Sequence, residues 1–171
     1  MPTLHASRIA ILAGSLALLS ACNTSGNPEV PVAAAPVLAQ PGTEAAVCPS
    51  ISLREGTAIL RRGEPEALEY VASISATSRS CRVVDGQLVI EVGIAGRVTP
   101  GVAAQAGNVQ LPIRVAVTRG TEVLYSNMGT LGVAVTPGAG AQDFLYVDRS
   151  VRIAEPADRA VIIQAGFDEQ G

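Results

Sequence analysis

The chain has 171 residues, of which 48% are hydrophobic, whereas aromatic residues make up only 3% and tryptophan is absent. The formal net charge is −3, and this mild acidity argues against nucleic acid as a partner, because that partner requires a basic patch. Any core must be built from Val, Ile, Leu and Ala, and the scarcity of aromatic rings weighs against a carbohydrate-stacking surface.

The first 22 residues have the pattern of a secretory signal. Arg8 precedes an apolar stretch from Ile9 to Leu19, and the stretch ends in Leu19-Ser20-Ala21-Cys22. A positively charged residue, then about a dozen apolar residues and then small residues at the cleavage site are typical of a signal peptide. The apolar stretch is too short to span a membrane. The Leu-Ser-Ala-Cys ending resembles the lipobox of bacterial lipoproteins.

The resemblance implies that Cys22 is the lipidation site of an envelope protein. In that family the Cys thiol takes a diacylglyceryl group, the preceding residues (here 1–21) are removed, and the new amine is acylated. Asn23, in place of the Asp that often retains such proteins in the inner membrane, favours the outer membrane and a domain that faces the periplasm. The motif implies an anchor and a location, but no activity.

Residues 22–47 are predicted to be a lipidated tether. The segment is rich in Pro and Ala and shows no apolar periodicity. Such a composition cannot bury enough surface to offset the entropy cost of ordering, so we expect disorder here. At about 3.1 Å per residue in an extended form, the tether would reach roughly 75 Å from the bilayer. The predicted globular domain is 48–171.

Cys48 and Cys81 are the two cysteines that remain after Cys22 is lipidated. In an oxidising compartment an even pair is expected to form a disulfide. The bridge would close a loop of about 33 residues and stabilise the domain by roughly 3–4 kcal/mol.

From Cys48 onward, runs of β-branched and apolar residues alternate with polar residues between Gly and Pro signals. No helical period persists over more than two turns after residue 22, and the Gly-containing segment 101–107 is interpreted as a loop. The chain should therefore form seven to nine strands. The clearest runs are Tyr70–Thr77, Arg82–Val84, Gln87–Val98, Leu111–Thr118, Val123–Ser126, Leu131–Val135, Phe144–Ile153 and Val161–Phe167.

Two hairpins join these runs. Asp85-Gly86 lies between apolar runs and is a strong signal for a type I′ turn, and Arg119-Gly120-Thr121-Glu122 predicts a second turn. In these runs apolar residues alternate with polar ones, so each strand has one apolar face and one polar face. Such strands bury their apolar faces when two sheets pack face to face. We predict an antiparallel β-sandwich of immunoglobulin or fibronectin III type. The inward faces should carry Tyr70, Ala72, Ile74 and Ala76, then Leu88, Ile90, Val92, Ile94 and Val98, then Leu111, Ile113, Val115 and Val117.

Most catalytic chemistry is excluded by residue types. The one histidine, His5, leaves with the predicted signal peptide, and lysine is absent from the whole chain. Catalytic triads, imidazole-based metal sites and Schiff-base chemistry therefore have no residues to use. We expect no catalytic residue, no metal site and no cofactor.

Carboxylates are the remaining catalytic candidates. Glu64, Glu66 and Glu69 are close in sequence, and a carboxylate pair can cleave a glycosidic bond, but a solvated loop is the simpler interpretation. Asp143, Asp148 and Asp158 could bind calcium, yet their spacing is not that of a calcium loop, so we expect them in surface turns.

These observations favour a non-enzymatic binding or scaffolding module of the cell envelope. Its partner, an envelope protein, would engage an open sheet edge or an apolar patch, with Arg97 and Arg114 as polar contacts. Two alternatives stay open: a periplasmic carrier of a small apolar ligand, and a carboxylate-dependent hydrolase.

Overall fold

The structure is a computed structural model that describes residues 42–168. Within this range the chain is all-β, as predicted, with nine strands and no helix. The strands are β1 (Thr43–Glu44), β2 (Ser50–Leu53), β3 (Ile59–Glu64), β4 (Ala67–Val84), β5 (Gln87–Pro100), β6 (Gly107–Arg119), β7 (Glu122–Val135), β8 (Gln142–Ala154) and β9 (Val161–Phe167).

The strands form two sheets. In sheet 1, β1 and β3 both pair with the same long strand β4, which is followed by β5 and β8. Sheet 2 has the order β2-β9-β6-β7. All neighbouring strands are antiparallel except β2 and β9, which are parallel. The two-sheet sandwich is therefore confirmed, although its strand order differs from the ABED and CFG sheets of an immunoglobulin constant domain.

The two predicted hairpins are present. Asp85 and Gly86 have φ values of 51° and 73°, the positive values that a type I′ turn requires at both positions. Gly120, with φ of 58°, lies in the turn between β6 and β7. Glycine and aspartate tolerate these backbone angles better than most residues, so the local sequence determines where each hairpin turns.

The core lies between the sheets and follows the predicted alternation. Every predicted inward residue of β5 and β6 is fully buried. The exception is in β4, where Ala76 is exposed although Tyr70, Ala72 and Ile74 are buried. A β-bulge between Ile74 and Ala76 inserts one residue, and the inward face then shifts to odd positions such as Cys81 and Val83.

Three local features differ from the sequence analysis. The fold begins before Cys48, because Thr43 and Glu44 pair with β4 inside the predicted tether. The pair Arg61-Arg62 is predicted from the sequence to be an exposed strand end, whereas both residues lie in the middle of β3. Two pairs of predicted runs are continuous strands. Runs 70–77 and 82–84 both lie in β4, and runs 123–126 and 131–135 both lie in β7, whose residues 127–130 also pair with β6.

The predicted disulfide is present and connects the two sheets. Cys48 lies just before β2 of sheet 2, and Cys81 lies in β4 of sheet 1. Their Cα atoms are 5.6 Å apart, within the range of disulfide geometry. The bridge therefore holds the start of β2 against β4.

Cys22, the predicted signal peptide 1–21 and the tether as far as residue 41 lie outside the described residues. The described range contains no helix long and apolar enough to cross a membrane.

Candidate functional site

The two sheets end on neighbouring edge strands. β7 is the last strand of sheet 2 and β8 the last strand of sheet 1, and the two strands contact each other without pairing. Edge strands present backbone N–H and C=O groups that can pair with another strand. The side of the sandwich formed by β7 and β8 therefore offers two long edges for recognition.

The β8 edge carries the features by which proteins protect such edges. A bulge at Arg149 and Ser150 interrupts the ladder to β5, since Val92 pairs with Asp148 whereas Ile90 pairs with Val151. Charged side chains occur along the strand: Asp143, Asp148, Arg149 and Arg152. Bulges and charges both disfavour the addition of another strand.

The β7 edge lacks these features over most of its length. After Glu122, no residue from Val123 to Val135 is charged. Its one irregularity lies near the start, where Val117 pairs with Tyr125 but Thr118 pairs with Val123. Residues 125–135 are therefore a regular, uncharged edge. Two exposed apolar side chains, Val123 and Met128, project from the same strand.

The pairing of β7 with Pro112 of β6 shows which backbone groups of β7 point away from β6. The Pro112 carbonyl, the one backbone hydrogen-bonding group of this proline, accepts a hydrogen bond from the N–H of Asp168 and therefore points toward β9. Thr130 is paired opposite Pro112 and therefore directs its own N–H and C=O away from β6. Backbone direction alternates along a strand, so the N–H and C=O groups of every second residue also point away from β6, namely those of Ser126, Met128, Gly132 and Ala134.

A groove accompanies this edge. It has a volume of about 360 Å³ and lies between residues 131–134 of β7 and residues 142–145 of β8. Leu145, which is 62% exposed, is one of its walls. The one charged residue that lines it, Asp143, forms an ion pair with Arg97 (Nη2–Oδ1 3.1 Å). An uncharged extended segment would fit this environment.

A buried polar cluster holds β7 against β8. Asp148 is only 3% exposed, which corrects the prediction that it lies in a surface turn. Its carboxylate accepts hydrogen bonds from the Tyr125 hydroxyl (2.8 Å), the Asn127 side-chain amide (3.2 Å) and the Ser150 N–H (2.8 Å). The period-2 pattern of Phe144, Tyr146 and Asp148 was the available sequence signal that Asp148 faces inward.

Two tyrosines of this cluster have raised pKa values. Burial, together with the hydrogen bond to Asp148, raises the pKa of Tyr125 above its ordinary value, so its phenol remains a neutral donor. Burial and the charge of Asp148 also raise the pKa of Tyr146. The ring of Tyr146 fills the space beside Gly129, where a Cβ atom would clash with its hydroxyl oxygen.

A larger cleft of about 560 Å³ lies on the outer face of sheet 2, beneath the loop between β2 and β3. Arg114 of β6 is the central cation of this cleft, and it bonds the carboxylate of Asp168 and the hydroxyl of Ser126. The charges of Arg114 and Asp168 offset each other, so the cleft has no strong preference for an anion. Thr57 closes over Gly166, whose missing side chain makes room for it.

The other sequence candidates lie at two further places on the surface. Glu64, Glu66 and Glu69 are all exposed around the hairpin between β3 and β4. Asp158 lies in a turn and accepts a hydrogen bond from the N–H of Ala160. Within residues 42–168, no group of three or more His, Cys, Asp or Glu residues is arranged to hold a metal ion.

Comparison with known protein families, with curated proteins and with solved structures gives no match.

Proposed function

We propose that this protein is a lipid-anchored, non-enzymatic binding module of the bacterial cell envelope that accepts an extended segment along β7. The observation that carries the proposal is the regular, uncharged edge of residues 125–135 beside β8, whose own edge is bulged and charged. Addition of a strand to an open sheet edge is a recurrent mode of recognition, in which main-chain hydrogen bonds provide affinity.

The connection to the tether supports this function. The chain enters the domain at β1, which pairs with β4 at the side of sheet 1 opposite to β8. The tether therefore joins the sandwich away from the β7 edge. A domain held in this way keeps the binding edge accessible while the lipid on Cys22 fixes the chain to the outer membrane, facing the periplasm.

The two alternative functions have less support. A carrier of a small apolar ligand needs a chamber, but large core side chains such as Leu88, Ile90 and Ile113 occupy the space between the sheets. A carboxylate-dependent hydrolase needs two facing carboxylates in a cleft. The larger cleft is lined by two carboxylates, but Asp168 is paired with Arg114 and Glu55 is exposed to solvent, which disfavours their use as a catalytic pair.

Replacement of Cys22 by serine tests the anchor. The wild-type chain should partition with membranes and carry acyl groups detectable by mass spectrometry of its first residue. Cys22→Ser should yield a soluble or an uncleaved form, because the thiol that takes the lipid is lost. A processed Cys22→Ser chain that stays fully with the membrane in a detergent-free wash would contradict the anchor.

Replacement of Thr130 by lysine tests the binding edge. Thr130 is exposed at the centre of the uncharged edge, and a lysine there introduces a charge of the kind that protects natural edges. Cross-linking of the full chain in intact cells should give a protein adduct that decreases at least tenfold in Thr130→Lys. The matched control is Thr99→Lys, which makes the same change at an exposed position of β5.

The two variants separate binding from folding. Thermal unfolding should show that both fold as well as the wild type, because both positions are exposed. An adduct that is equally abundant in Thr130→Lys and in the wild type would show that the partner does not use β7, and the proposed function would then be wrong.

A further inference from the structure

We infer that a cavity between the edges of the two sheets is a binding site for a small phosphate-bearing ligand, with Arg79 and Arg159 as the two cations that hold the phosphate group. The cavity has a volume of about 300 Å³ and lies where the disulfide joins β2 of sheet 2 to β4 of sheet 1. β2 and β7 are the opposite end strands of sheet 2, so this inference does not depend on the proposed function of β7.

The bulge in β4 directs Arg79 toward this cavity. After the bulge, the odd-numbered residues of β4 face inward. Arg79 precedes Cys81 by two residues, so both side chains lie on the same face of the strand. The disulfide from Cys81 to Cys48 holds that face beside the start of β2, and Arg79 and Ser50 therefore line the same cavity.

The second arginine comes from the connection between β8 and β9. Asp158 accepts a hydrogen bond from the N–H of Ala160, which fixes the turn that carries Arg159. β9 begins directly after this turn and pairs with β2, Ile162 lying opposite Ser50, so the turn ends beside the start of β2. Two guanidinium groups from distant parts of the chain thus line one cavity.

Both arginines lack a partner in the described part of the chain. Within residues 42–168, no ion pair and no side-chain hydrogen bond involves Arg79 or Arg159, and no carboxylate lines the cavity. Each of the two clefts described above instead contains an aspartate that pairs with an arginine. Two like charges at one cavity repel each other, and an anion bound between them would offset this repulsion.

The chemistry of the lining favours phosphate over a carboxylate. A guanidinium donates several hydrogen bonds in a planar fork, and one such fork already engages both oxygens of a carboxylate. A tetrahedral phosphate has further oxygens, so two arginines can bind it together. Ligand pockets measure roughly 300–1,000 Å³, so this cavity suits a small ligand. Its apolar walls, Val47, Pro49 and Val161, would contact the uncharged atoms attached to the phosphate.

Two sources could supply such a phosphate monoester: a lipid headgroup or a small soluble ester. Ala46 and Val47, which line the cavity, lie between β1 and β2, close to where the chain enters the domain. The anchor proposed above would hold this domain near a membrane, whose lipids carry phosphate. The two arginines recognise the group that both sources share, and the experiment separates the sources.

Thermal unfolding of the full chain in an uncharged detergent tests the site. Glycerol 3-phosphate is the soluble probe, and phosphatidic acid mixed into the micelles is the lipid probe. Glycerol and diacylglycerol are the matched controls that lack the phosphate. A ligand that binds only the folded state raises the midpoint of unfolding, so at least one phosphate probe should raise it and neither control should.

Three variants locate the binding. Arg79→Gln and Arg159→Gln should each weaken the affinity at least tenfold, because each removes charge-assisted hydrogen bonds to the phosphate. Arg61→Gln makes the same change at an exposed residue of β3 outside the cavity and should bind like the wild type. All three arginines are exposed, so without a probe the variants should unfold at the wild-type temperature.

Each outcome has one meaning for the site. A rise with glycerol 3-phosphate alone supports a soluble ester, a rise with phosphatidic acid alone supports a lipid headgroup, and a rise with both supports recognition of the phosphate group itself. No rise with either probe, or equal affinities in Arg61→Gln and the two cavity variants, would overturn the inference. Strand addition at β7 is tested separately by Thr130→Lys and is unaffected by these results.

Discussion

Replacement of Asp148 by alanine should lower the free energy of unfolding by about 3 kcal/mol, because it removes the acceptor of three part-buried hydrogen bonds. Tyr125, Asn127 and the N–H of Ser150 all bond this carboxylate. A buried polar group left without its partner costs roughly 1–3 kcal/mol, and the substitution also leaves a small cavity. Denaturant-induced unfolding at neutral pH measures the loss.

Two variants serve as controls for this effect. Tyr125→Phe removes one donor and should cost about 1 kcal/mol, and the double variant with Asp148→Ala should cost less than the sum, because the two residues share a hydrogen bond. Asp143→Ala removes an exposed carboxylate of β8 and should cost roughly 0–1 kcal/mol. A value for Asp148→Ala as small as that for Asp143→Ala would show that the cluster does not stabilise the sandwich.

The same cluster should make the protein sensitive to alkaline pH. The pKa of Tyr125 is raised by burial and by its hydrogen bond to Asp148, so above the ordinary value of 10.0 the folded state keeps a proton that the unfolded chain loses. The stabilisation is therefore complete below about pH 10 and decreases as the pH rises further. Unfolding curves between pH 8 and 11 should show a smaller decrease for Tyr125→Phe than for the wild type.

Removal of the disulfide is the second change with a large expected effect. Replacement of both Cys48 and Cys81 by alanine should lower the free energy of unfolding by roughly 3–4 kcal/mol, because the unfolded chain regains the freedom of a loop of about 33 residues. The pair also connects the two sheets, so β2 should lose protection first. Equilibrium unfolding with and without reductant measures the loss.

Hydrogen exchange locates the effect within the domain. Amides of β2 and of its parallel neighbour β9 should exchange faster in the double variant, whereas those of the central strands β5 and β6 should follow the global stability. Addition of a reductant should increase these exchange rates in the wild type but not in the variant that lacks both Cys48 and Cys81. Two free thiols in the unreduced wild type would show that the bridge does not form.

The sequence by itself determined the class of fold and the position of most strands. Alternation of apolar and polar residues places side chains on opposite faces of a strand, so the buried faces of β5 and β6 could be predicted residue by residue. The turn at Asp85-Gly86 depends only on the residues of the turn itself, so it could also be predicted from the sequence. The pairing of Cys48 with Cys81 followed from the count of cysteines left for a bridge.

Tertiary structure alone decided which strand edges are open and which side chains meet across the sheets. Ala76 is exposed because of a bulge that depends on the register between β4 and β5, and the local alternation carries no trace of it. The period-2 pattern turns Asp148 inward, but only the tertiary structure shows that its partners are Tyr125 and Asn127 of the other sheet. The absence of charge along β7 is visible in the sequence, but the strand order determines that β7 lies at the edge of its sheet. Strand order is set by contacts between residues far apart in the chain, which no local pattern encodes.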